Sequence, residues 1–212
     1  MSPFEFFFSF YGLLLGFSVA ELVGGFARVV HERRHVTLGW LTPLLAIFVA
    51  IDIATFWNQA WAFFREAPYN FALLVLGLVV ASVFYVAATL VFPKDLKAGD
   101  NLDEHFWRHK RLVLFSVMLA NLAMAAVFFL VAGLSGQLAE PPTSLIVGLV
   151  FFSLVTLAAA LSQRRRVVLT LLAVLVLYQG YHIGRWTVAL FQGPGWPVTE
   201  AARTAAAKAV QE

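Results

Sequence analysis

Asp52 stands about twelve residues from either end of a long apolar stretch, and no other carboxylate in the chain is so centrally placed in apolar sequence. An ionisable group at membrane depth costs roughly 2.5–3.5 kcal/mol on insertion scales and more in simulations. Such a carboxylate finds a cation or hydrogen-bond donors, or it takes up a proton. Thr55 and Gln59 follow at helical spacing, so the three form one polar stripe running from midplane towards one end. Asn121 and Gln179 lie near mid-depth in two further apolar stretches, with His182 and Arg185 one or two turns beyond Gln179. Ser82 is near mid-depth in another stretch, and Glu21 lies in the inner third of the first. This set suits a proton or ion relay, or a small polar site, with Asp52 as the titrating group and Arg185 or His182 as its pairing cation. It suits equally a buried polar knot that fixes helix register, since interhelical hydrogen bonds contribute only about 0.6 kcal/mol each.

The histidines form a second constellation. His31 and His35 are spaced i, i+4, and His105 and His109 repeat that spacing. Two helical turns on one side of a membrane could present four imidazoles to a metal. Arg33, Arg34 and Arg108 are interleaved, and their charge disfavours a divalent ion. Haem needs an axial histidine at membrane depth, where only His182 qualifies, with Met118 and Met124 as remote partners. There is no cysteine, so disulfides, thiolate metal sites and catalytic thiols are excluded. No glycine-rich loop follows a strand to open a helix, and no serine sits in a nucleophile elbow. The reading predicts no cofactor, disfavours metal and haem, and expects bound lipid.

Whatever these residues do, long apolar elements must position them. The chain has 212 residues, of which 61% are hydrophobic and 13% charged. Soluble domains carry about a quarter charged residues. A bilayer core about 30 Å thick needs roughly 20 mostly apolar residues per helix. Stretches at 4–28, 40–64, 71–92, 112–134, 144–161 and 167–191 meet that need. The first lacks the basic lead of a signal peptide, and Glu5 stands where Lys or Arg would be, so a retained helix is expected. The fold class predicted is an all-α polytopic membrane bundle of six transmembrane helices, spanning residues 1–192. A short interfacial helix is expected near 101–110, capped by Asp100 or Asn101. Residues 193–212 form a short polar tail that opens on a Gly-Pro run and has an Ala-rich segment at 199–210.

Basic residues set the orientation. Connections one, three and five carry Arg28, Arg33, Arg34, Lys94, Lys97, Arg108, Lys110, Arg111, Arg164, Arg165 and Arg166, whereas two and four offer only Arg65. Lys and Arg near helix ends favour the cytoplasmic side. The odd connections are therefore expected inside and both termini outside, in a bacterial-type cytoplasmic membrane. The formal net charge of +3 is split among short loops beside helices, which argues against nucleic acid as a partner.

Gly12, Gly16, Ala20 and Gly24 recur every four residues and predict a groove down one face of the first helix. Another helix of the same chain, or of a neighbouring subunit in a homo-oligomer or larger membrane complex, would approach there. Six spans also divide into two sets of three with inverted topology, a transporter arrangement. Phe17-Ser18-Val19 recurring as Phe115-Ser116-Val117 is the one trace of such a repeat. Three function classes emerge, in this order. The first is a channel or secondary transporter for a proton, ion or small polar solute. The second is a non-catalytic accessory or assembly subunit. The third is a membrane enzyme with a cytosolic histidine-metal site.

Overall fold

The computed structural model describes residues 3–37, 39–64, 71–97, 99–134 and 143–192. Among these the chain forms six α-helices: α1 (Pro3–His31), α2 (Leu41–Phe64), α3 (Phe71–Val91), α4 (Leu102–Leu134), α5 (Thr143–Leu161) and α6 (Arg165–Gln192). All six are long and apolar enough to cross a membrane, which supports a multi-pass membrane protein. The Ala-rich segment at 199–210 and Arg65 lie outside the described residues.

The chain divides into two compact units, Met1–Val176 and Leu177–Glu212. The core of the first unit follows from helical periodicity. Phe7, Tyr11, Leu15, Ser18, Leu22 and Val29 are buried on α1, at steps of three, four or seven. Phe48, Asp52, Ile53 and Phe56 are buried on α2, and Val113, Leu114, Val117 and Ala120 on α4.

α1 and α3 run parallel. The Phe7 ring lies where a side chain on Gly77 would project, and Phe92 lies against Gly25. A Cβ on Gly25 would sit 2.8 Å from the Phe92 Cβ, so this is where α1 needs glycine for close approach. The stripe expected to do so behaves differently. Gly12 meets the Trp57 indole on α2, with a built Cβ 3.1 Å away, but Gly16 has nothing within 4 Å and Gly24 has only Arg28 of its own helix. Ala20 is exposed. Four-residue spacing drifts around a helix that turns every 3.6 residues, so the stripe leaves the buried face after one turn.

Residues 102–110 are not a separate interfacial helix but the first turns of α4. At 33 residues, α4 is about 50 Å long and outruns a bilayer core. Asn101 caps it, its Oδ1 accepting the Asp103 N–H at 2.9 Å. The preceding connection pairs with the one after α1. Thr37 N–H donates to Asp100 O at 2.9 Å, Leu102 N–H to Thr37 O at 3.2 Å, and Gly99 N–H to His35 O at 2.7 Å. Gly99 has a φ of +93°, which only glycine adopts readily. Thr42 at the start of α2 donates its hydroxyl to Leu102 O at 2.9 Å. Asp103 forms a 2.8 Å ion pair with Arg165 at the start of α6. The basic ends of α1, α2, α3, α4 and α6 are thereby fastened together.

Candidate functional site

Asp52 is 2% exposed at the middle of α2. Val49, Ile53 and Phe56, all buried, surround it in sequence and give it an apolar setting. Asn121 of α4 donates from Nδ2 to Asp52 Oδ2 at 2.9 Å and to Val117 O of its own helix at 3.0 Å. Both amide hydrogens are used, so the side chain is held by its own backbone while it holds the carboxylate. The amide is a neutral donor, so this bond stabilises a carboxylate without supplying a counter-charge.

Three other members of the expected set in the first unit bond within their own helices. The Thr55 hydroxyl donates to Ile51 O at 2.9 Å, satisfied inside α2, and Gln59 is half-buried two turns beyond Asp52. Ser82 likewise bonds back to Leu78 O at 2.8 Å on an exposed face of α3. Glu21 pairs with Arg28 of its own helix at 3.4 Å. Its side chain is 30% exposed, at the edge of the buried face that carries Ser18 and Leu22. In the second unit, Gln179 is buried. The His182 ring packs edge-on to Tyr178 at 4.5 Å and to Tyr181 at 5.7 Å. The exposed Arg185 guanidinium lies 5.9 Å from the centre of the Tyr181 ring.

The two histidine pairs are not gathered into one cluster of three or more candidate ligands among the described residues. His31 and His35 are exposed. His105 Nε2 lies 3.0 Å from Leu90 O, and His109 Nδ1 lies 3.0 Å from His105 O. A carbonyl only accepts, so each of these nitrogens carries a proton and donates, which removes it as a ligand. The two rings are tilted by 30° with centroids 4.2 Å apart. Among the described residues there is no group of three or more His, Cys, Asp or Glu that could hold a metal ion.

Three buried hydroxyls escaped the sequence reading. Tyr11, Ser153 and Thr156 have side-chain oxygens with no hydrogen-bond partner among the described residues. Buried polar groups are nearly always satisfied, by protein or by water. Tyr11 was readable from its place between Phe7 and Leu15 on the buried face of α1. Ser153 and Thr156 share a face of α5, but their three-residue spacing in an apolar run looks like ordinary packing.

No family model, curated protein or solved structure matches the chain.

Proposed function

We propose that the protein is an integral membrane channel or secondary transporter for a proton, an ion or a small polar solute, with Asp52 as its binding group. The observation that carries this reading is the Asp52–Asn121 pair, a carboxylate at mid-helix, 2% exposed and held at 2.9 Å by a neutral amide. A polar knot serving stability alone needs no titratable member, because a second amide would hydrogen-bond as well and cost less to desolvate. The hydroxyls of Tyr11, Ser153 and Thr156, which have no hydrogen-bond partner among the described residues, add polar atoms to the interior of a mostly apolar bundle. The basic clusters face the cytoplasm, both termini lie outside, and the membrane is of the bacterial cytoplasmic type. Bound lipid belongs to this reading, and nucleic acid does not.

The test is flux in proteoliposomes carrying a pH-sensitive dye, comparing wild type with Asp52→Asn. That substitution keeps shape and hydrogen bonding while removing the titrating group. Loss of flux, or of its pH dependence, with an unchanged melting temperature is the expected outcome. Wild-type flux in the variant would remove Asp52 from the mechanism.

An accessory or assembly subunit is the second reading. It is favoured by the outward face of α1, where Gly16 has open space and Ala20, Leu13 and Phe17 are exposed. A neighbouring helix, from a second copy or from a partner in a larger complex, could approach closely there.

A further inference from the structure

A groove of about 340 Å³ runs between α1 and α3, lined by Leu14, Phe17, Ala81, Ser82 and Tyr85. The Ser82 hydroxyl is already bonded to Leu78 O, so it makes no polar demand on an occupant. On α1 the line continues. Leu14, Phe17, Glu21, Gly24 and Arg28 follow at alternating steps of three and four, which keeps them on one helix face. That face is apolar at the groove and charged at the basic end. Glu21 and Arg28 are 3.4 Å apart, with side chains 30% and 42% exposed, so the guanidinium folds back along the helix towards the groove. Gly24 between them leaves open space, with only Arg28 Nη1 near its Cβ position. Lys94, exposed, follows Phe92, which packs against Gly25, and so brings a second cation to this end.

We infer that this groove binds a phospholipid of the basic-end leaflet, with the far half of one acyl chain between α1 and α3 and its phosphate at Arg28. The dimensions agree. From Phe17 to Arg28 is eleven residues, or about 16 Å of helix. Half of a bilayer core is about 15 Å. With Arg28 at the headgroups, the groove therefore lies at the depth of the chain ends. Arg28 uses one Nη towards Glu21, which leaves further N–H groups in a fork that matches phosphate oxygens. Glu21 acts as the positioning residue, since its carboxylate draws the guanidinium over the groove. The assignment is independent of any flux. It depends on the proposed orientation only for which leaflet supplies the lipid.

The test is native mass spectrometry of the protein in mild detergent with added palmitoyl-oleoyl phosphatidylglycerol, alongside the diacylglycerol of the same chains. Wild type should retain the phospholipid and release the diacylglycerol. Arg28→Gln, on an exposed residue, should weaken retention about tenfold, the scale of one charge-assisted hydrogen bond. Ser82→Trp, which fills the groove from an exposed position, should do the same, while Arg108→Gln on the remote exposed Arg108–Glu104 pair should change nothing. Retention in Arg28→Gln equal to wild type, equal retention of the diacylglycerol, or an equal loss in Arg108→Gln would each overturn the assignment.

Discussion

Lys110 is 1% exposed, the most deeply buried charge among the described residues. Its ammonium donates to Ala159 O at 3.1 Å and to Ser162 O, and lies 4.5 Å from the centre of the Trp107 ring. Ala159 belongs to the last turn of α5, where carbonyls have lost their intrahelical partners and the helix dipole is negative. A cation from α4 thus caps α5. Replacing Lys110 by Met leaves both carbonyls without that donor and should cost about 1–3 kcal/mol. Arg111→Met, one residue away and exposed, should stay within about 0.5 kcal/mol. Denaturant unfolding of the two variants in detergent decides it, and equal midpoints would dismiss the cap. Lys110 reads in sequence as one more member of a basic cluster, because nothing local distinguishes a cation that caps a distant helix from one that faces water. Asp52 and Asn121 were legible for the opposite reason. Depth is counted along a single helix, and the two side chains share one, although the pairing expected for Asp52 was with Arg185 or His182.

The elements show where counting along a helix stops being enough. All six helices were legible from length and hydropathy, with ends displaced by a few residues except at α4, whose cap and first turns run straight into its span. The glycines of α1 were visible too, but their partners were not. A repeat of four predicts a groove, whereas the neighbour that packs against α1 selects by a repeat nearer 3.5, which picks out Gly25 instead of Gly16 and Gly24. The contrast gives a paired prediction. Gly25→Ala puts a methyl group 2.8 Å from the Phe92 Cβ, next to backbone that cannot swing aside, and should destabilise the bundle by about 1–3 kcal/mol. The Cβ of Gly16→Leu meets nothing within 4 Å, and the variant should leave the thermal stability of the monomer unchanged. Melting curves of the two variants in detergent check this directly. If Gly16→Leu melts as wild type but runs as a smaller species on size-exclusion chromatography, α1 packs against a neighbouring subunit. Unchanged assembly would count against the second reading of function.

At the scale of the whole molecule, the basic end is a fastened structure as well as a charged one. The connections after α1 and α3 share three backbone hydrogen bonds, and α4 reaches α6 through Asp103–Arg165 and α5 through Lys110. These ties were not legible because each joins residues far apart in sequence, and none has a spacing that betrays it. They matter for orientation. Their charges cannot be pulled into hydrocarbon one loop at a time, so the end carrying Arg33, Lys97, Arg108 and Arg165 crosses as a block or stays put. In the proposed orientation all three odd connections should then be cytoplasmic together. The chain has no cysteine, so single thiols can be introduced at will. In intact cells, Leu138→Cys between α4 and α5 should react with a membrane-impermeant maleimide. Arg164→Cys between α5 and α6 should react only after the membrane is permeabilised. Labelling at 164 and protection at 138 would reverse the orientation. Labelling of both from outside would show that the stretch between them does not cross, and the six-span topology would have to be redrawn.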